Sequence, residues 1–389
     1  MSTDQQTPKT ERPKKPKFHR YPLYSPRFWH GMLLTDWLGL AARNRFRIHP
    51  IRWPMAALVT GMAAFNSTMR LVQQATHGRK IAETALTADP IFIIGHWRSG
   101  TTFLHELLSV DERFCTPNSY QCFSPTHFLV SEWLMTRVFW FVMPEKRPMD
   151  NVAMGWSQPQ EDEFALCNMG LPSPYLRMAF PNHPPVFMEY LDMEGVPPDA
   201  LEHWKQTLRI FLQELTIHQG RRIVLKSPTH TGRVGILGEM FPEARFIHIV
   251  RDPMSLVPST IRLWQSLDAP QGFQIPKHRN LEDYVFESYQ RMYGGMNRQR
   301  ASVGEHRILD VRYEDLVADP VGQLQVVYER LDLGEFDAVR PKLEQYATQK
   351  RDYKPNRHQL SPELERRVRE QWADYIERYG YAQDEGVPQ

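Results

Sequence analysis

The run IFIIGHWRSGTT at residues 91–102 sets Gly95 and Gly100 five positions apart and follows them with two hydroxyls, Thr101 and Thr102. An apolar stretch precedes the glycines and a helical pattern follows at 101–109, so the spacing predicts a strand, a glycine loop and a helix. Such a loop turns its backbone N–H groups inward and adds the positive end of the helix dipole, which is chemistry for holding a tetrahedral anion. The frame is that of GxxxxGK[ST], yet Thr101 stands at the lysine position and the cation of the loop is Arg98. Without that lysine, and without an evident acid ending a strand to hold magnesium, handling of a nucleoside triphosphate is poorly supported. Gly95, Arg98, Ser99, Gly100, Thr101 and Thr102 are the candidate anion-binding residues.

Four other groups could do chemistry. The strand pattern RFIHIV (245–250) runs into Arg251-Asp252-Pro253, and Ser259 lies eight residues beyond Arg251; alone, this could be a strand-end ion pair and a surface serine. The segment IVLKSPTH (223–230) ends a strand on Lys226 and places His230 four residues later, a side chain able to accept a proton near neutrality. In SQPQEDEFAL (157–166) Glu161, Asp162 and Glu163 stand together, either as bases or as acids at a helix start capped by Ser157. Finally, QKRDYKPNRH (349–358) gathers Lys350, Arg351, Lys354, Arg357 and His358 around Tyr353, as a solvated loop or as a further anion contact.

GHWRSGTT resembles the 5′-phosphosulfate-binding loop of the sulfotransferases, in which a basic residue precedes Ser-Gly-Thr-Thr, and the Arg251/Ser259 pair is similar to the second half of their signature. The arginine in the loop brings the pattern nearer the tyrosylprotein and bacterial branches than the cytosolic one. The resemblance implies transfer of a sulfuryl group from 3′-phosphoadenosine 5′-phosphosulfate to an acceptor hydroxyl, with adenosine 3′,5′-bisphosphate as product and no metal. It implies that the loop holds the 5′-phosphosulfate and that Arg251 and Ser259 hold the 3′-phosphate. It further implies that Lys226 and Arg98 are catalytic cations and that Lys350, Arg351 and Lys354 close the nucleotide site. Tyrosylprotein relatives carry a glutamate base after the first helix, but residues 115–121 (CTPNSYQ) hold no acid. Two replacements stay open: Glu161 or Glu163, and His230, which resembles the histidine base placed near the lysine in cytosolic relatives.

Positioning these groups requires strands at 91–94, 222–225, 244–250 and 307–311, alternating with helical stripes at 101–109, 199–219, 232–241, 253–267 and 320–331, before a charged closing helix at 361–379. That alternation predicts an α/β fold with a P-loop-type parallel sheet flanked by helices, its ligand at the carboxyl ends of the strands. Residues 89–389 form this domain. Within it, 115–198 breaks the alternation with Pro-rich turns and reads as a cap insertion binding the acceptor. Aromatic residues there (Trp133, Phe139, Trp140, Phe141, Trp156, Phe164, Tyr175) suit a small-molecule, carbohydrate or lipid acceptor, or the core.

Residues 28–88 read as a helical appendage. Its longest uncharged stretch, 53–69, is too short to span a bilayer. Two readings stay open for 28–74: packing on the main domain, or peripheral membrane contact with Trp29 and Trp37 at the boundary and arginines on anionic headgroups. Residues 1–27 read as a disordered basic tail. The 47 Lys+Arg nearly balance 45 Asp+Glu, which argues against a nucleic-acid partner. The first twenty residues carry a surplus of +4, leaving residues 21–389 at −2. Three cysteines make no disulfide framework and point to a reducing, cytoplasmic location, with peripheral membrane association as the variant. A phosphate-loop kinase or NTPase and a non-catalytic adaptor are the competing readings. The sequence leaves the oligomeric state open.

Overall fold

The computed structural model describes residues 25–142, 155–350 and 360–383. Five strands form one parallel sheet in the order β2-β3-β1-β4-β5: β1 (Ile91–Ile94), β2 (Phe114–Cys115), β3 (Arg222–Lys226), β4 (Arg245–Val250) and β5 (Ile308–Arg312). Ile91 pairs in register with Val224 on one side and Arg245 on the other. The apolar strand β1 is therefore central and buried on both faces, as a parallel sheet covered by helices requires. This is the predicted α/β architecture.

Ahead of the sheet, α1 (Leu34–Arg43) and α2 (Trp53–Glu83) make the N-terminal appendage. It packs on the main body through Trp29 Nε1, which donates to the Gln271 carbonyl at 2.8 Å, and Gln73 Nε2, which donates to Glu214 Oε1 at 2.9 Å, while within it the buried Asn66 donates to the carbonyls of His30 and Met32. Trp29 and Trp37 are 0% and 2% exposed, so the expectation that they mark a bilayer boundary is corrected: both are core residues. Ser25 and Arg27, within the segment expected to be a tail, are buried. Among the described residues no helix is long and apolar enough to cross a membrane.

After β1 comes α3 (Thr101–Leu108). Residues 115–198 supply α4 (Ser119–Phe123), α5 (Phe128–Val138) and α6 (Asp162–Asn168), and α7 (Pro198–Gln219) leads into β3. Then come α8 (Val234–Met240), α9 (Pro253–Gln271) and α10 (Leu281–Val303). The stripe at 253–267 runs four residues further than predicted, and α10 is not marked by any apolar run in the sequence. The closing helix divides at Trp372 into Pro362–Gln371 and Ala373–Arg378. Trp372 is fully buried and stacks on Tyr289 of α10, with ring centroids 3.6 Å apart. Of the cap aromatics, Trp133, Trp140 and Phe141 are exposed, whereas Phe164 and Tyr175 are buried.

Candidate active site

The carboxyl ends of neighbouring strands β3, β1 and β4 each deliver one of the predicted cations: Lys226 as the last residue of β3, and Arg98 and Arg251 in the loops after β1 and β4. The loop after β1 bends at Gly95, whose φ of +143° favours glycine and whose N–H donates to Thr231 Oγ1 at 2.8 Å. Gly100, at φ +107°, is the left-handed entry to α3, and a Cβ there would run into the Tyr313 ring. Arg98 also takes positive φ, +70°, which turns its side chain along the cleft toward α9. Its Nε donates to Ser259 Oγ at 3.0 Å, and Arg251 Nη1 donates to the Arg98 carbonyl at 2.9 Å. Motifs 153 residues apart are thus brought together at one end of the sheet.

Arg251 is held from several sides. Its guanidinium lies 4.4 Å from the centre of the Tyr313 ring, and its backbone N–H and carbonyl both engage the Tyr375 hydroxyl of the C-terminal segment. The next turn is fixed by Asp252, which caps α9 by accepting from the N–H groups of Met254 and Ser255, with Pro253 at the first helical position.

A cleft of about 140 Å³ opens between this cationic edge and residues 160–178. Arg98, Gly100, Thr101, Thr102, Arg251 and Tyr313 line its polar side; Phe28, Trp97, Phe164, Met178, Leu263, Trp264 and Leu267 line the apolar side. Ser99 does not face it: its hydroxyl donates back to the His96 carbonyl at 2.7 Å and closes the loop, which corrects the expectation of a direct anion contact.

The acidic triplet is divided by the start of α6. Glu161 occupies the N-cap with extended dihedrals (φ −75°, ψ 126°), so its side chain leaves the helix and enters the cleft. Its Oε1 accepts from Lys226 Nζ at 2.7 Å and its Oε2 from the Tyr175 hydroxyl at 2.7 Å. Trp97 Nε1 in turn donates to the Tyr175 oxygen at 2.7 Å. Burial, and then the Glu161 charge, hold the Tyr175 phenol well above its usual range, so it stays a donor to the carboxylate. The helix start is as the alternative reading had it, but Glu161, not Ser157, is the capping position.

Asp162 and Glu163 turn the other way. Asp162 accepts from Ser227 Oγ and meets His230 Nε2 at 2.6 Å, with both side chains fully buried. Burial raises the Asp162 carboxyl, but the facing His230 and Ser227 outweigh it and the net shift is downward. Glu163 is 1% exposed and accepts from Arg233 Nη1 (2.7 Å), Arg233 Nη2 (3.1 Å), Thr229 and Ser173. Its carboxyl is likewise raised by burial and lowered further by the Arg233 guanidinium, ending below the usual range. Neither Glu163 nor His230 reaches the cleft, so as candidate bases both are corrected: they are walled into the core beneath it. Arg351 and Lys354 lie outside the described residues, and so does the side chain of Lys350. Sequence reasoning missed Phe28, whose ring stacks on Phe164 at 3.9 Å; only its apolar surroundings could have signalled it.

A phosphate-type loop without its lysine, a partner Arg/Ser pair on the next strand and helix, and a lysine–carboxylate pair at the cleft define a group-transfer enzyme with an anionic donor. The sulfotransferase family model matches residues 90–338, and the chain belongs to the sulfotransferase family. Omega-hydroxy-beta-dihydromenaquinone-9 sulfotransferase Stf3 from Mycobacterium bovis is 45% identical over 365 residues, covering 94% of this chain and 94% of that one. The protein of the same name from Mycobacterium tuberculosis matches at 45% over 94% of each chain. The crystal structure of sulfotransferase STF9 from Mycobacterium avium shares the fold with a TM-score of 0.63 at 17% identity, over 90% of this chain and 96% of that one. Sulfotransferase STF1 from Mycobacterium tuberculosis does so with a TM-score of 0.61 at 17% identity, over 90% and 94%. This protein is therefore a sulfuryl-transferring enzyme, as the loop motif implied, and the kinase and adaptor readings fall away.

Proposed function

We propose that the enzyme moves the sulfuryl group of 3′-phosphoadenosine 5′-phosphosulfate to the hydroxyl of an apolar, lipid-like acceptor, with Glu161 as general base. The observation that carries this reading is the placement of Glu161: it is the one carboxylate among the described residues lining the cleft, set between Lys226 and an apolar wall. The acceptor oxygen attacks sulfur and forms the new O–S bond while its proton passes to Glu161. The bond from sulfur to the bridging phosphate oxygen breaks, and its electron pair leaves with adenosine 3′,5′-bisphosphate. Lys226 and Arg98 offset charge on the leaving oxygen and the moving group, where fixed charge in a water-poor site counts most. Arg251 and Ser259 hold the 3′-phosphate; Thr101, Thr102 and the loop N–H groups hold the 5′ side.

The apolar wall of Phe28, Phe164, Met178, Leu263 and Leu267 supports a hydrocarbon-bearing acceptor over a sugar, and so does the menaquinone-type acceptor for which the 45% identical Stf3 relatives are named. The test is incubation with isotopically labelled donor and three acceptors: a hydroxyl-terminated prenylated quinol, a phenol and a sugar. Mass spectrometry should find one SO₃ added to the prenylated alcohol. Sulfation of the sugar alone would overturn the acceptor assignment. Thermal stabilisation by adenosine 3′,5′-bisphosphate, expected on binding to the folded state, tests the donor separately.

A further inference from the structure

Over its first five turns helix α2 turns an uncharged face to solvent. Its buried side is drawn by Ala56, Val59, Ala63, Asn66, Gln73 and Ile81, at helical spacing. The opposite side aligns Trp53, Leu58, Phe65, Leu71 and Val72, which are 61%, 47%, 37%, 67% and 43% exposed. Residues 53–69 contain no charge at all, and the stripe runs about 30 Å at 1.5 Å per residue. Single exposed apolar residues are ordinary, but an aligned patch of this length marks an interaction surface. Just before it, Phe46 and Ile51, 55% and 70% exposed, alternate with Arg45, Arg47 and Arg52.

Charge selects the occupant. From residue 37 to residue 82 the chain has six arginines and one lysine and no aspartate or glutamate. A positive surplus stands at both ends of α2, from Arg43 to Arg52 before it and from Lys80 beside the Arg79–Glu83 ion pair in its last turns, so a second copy would oppose like charges in either orientation. An anionic lipid surface meets both the charge and the apolar stripe, and α2 is not apolar enough to span it.

We propose that α2 and the preceding arginine-rich turn are a docking surface that lies in the interface of an anionic bilayer. The same turn is tied to the cleft: Arg52 Nη2 donates to the Ala269 carbonyl at 2.6 Å, and His49 N–H to the Phe273 carbonyl at 2.9 Å. Between them on α9 sits Gln271, which lines the cleft. Docking thus sets the cleft beside the lipid phase. That coupling rests on the lipid-acceptor reading, whereas the docking itself does not.

Flotation of the full chain separates the two. The protein should rise with phosphatidylcholine vesicles containing phosphatidylglycerol, not with phosphatidylcholine alone, and salt should release it. The double substitution Leu58→Glu with Leu71→Glu should weaken recovery about ten-fold or more, with the melting temperature and turnover of a water-soluble alcohol unchanged. Equal flotation on neutral vesicles, or full recovery of the double variant, would overturn the proposal. So would a dimer in sedimentation that the double variant dissolves, since the face would then belong to a second copy. None of these readouts uses a lipid acceptor, so its failure would be visible separately.

Discussion

Lys226 Nζ and Glu161 Oε1 stand 2.7 Å apart, with Glu161 on the wall of the cleft and Lys226 buried against it, the side chains 16% and 1% exposed. The pair joins the end of a strand to the start of a helix 65 residues away, and it sets the proposed leaving-group cation beside the proposed proton acceptor.

Glu161→Gln keeps the shape of that contact but removes the base, so kcat should fall by about 10²–10⁴-fold. Stabilisation by adenosine 3′,5′-bisphosphate, read as a melting-temperature shift, should persist. Glu163→Gln should do the reverse, lowering the melting temperature through loss of its buried charge pair.

Arg98 and Arg251 are coupled through a 2.9 Å hydrogen bond and share the polar edge of the cleft. Replacing either by alanine removes a charge-assisted donor, worth about 1.5–3 kcal/mol, or about 10–100-fold in affinity for adenosine 3′,5′-bisphosphate. Calorimetric titration checks this, and an unchanged Kd for Arg251→Ala would refute its role at the 3′-phosphate.

Arg233 is fully buried, pairs with Glu163 through both Nη atoms and lies 5.2 Å from the centre of the Trp204 ring. Arg233→Ala strands a buried carboxylate and should cost about 3–5 kcal/mol of stability. Denaturant unfolding measures it.

Glu214 answers to pH in the opposite sense from the paired acids. Burial raises its carboxyl from 4.5 to about 8, with the Gln73 amide at 2.9 Å pulling it down only in part. The folded state therefore holds this proton more tightly than the unfolded chain. Its contribution is complete below the unfolded value and is lost as pH rises through about 8. Glu214→Gln removes that dependence, so the melting temperature of the variant relative to the parent should climb between about pH 5 and about pH 8. A constant difference across that range would show that Glu214 does not titrate as described.

The phosphate-type loop, the Arg251/Ser259 pair, Lys226 and the alternating strands were legible in the sequence, because each is encoded within about ten residues of chain. Local chain order places a cation after a strand, and a parallel sheet then brings successive strand ends to one edge. What local order could not decide was which of three adjacent acids faces the cleft. Successive residues at a helix start point about 100° apart, so one side chain enters the cleft and its neighbours enter the core. The choice depends on partners 64 to 70 residues away, among them Lys226, Ser227, His230 and Arg233. The same holds for the appendage: Trp29 and Trp37 have the composition of interfacial anchors, yet packing against Gln271 and Phe273 makes them core. Residue type states what a side chain can do; in this enzyme, burial decides which of several equivalent side chains is placed to do it.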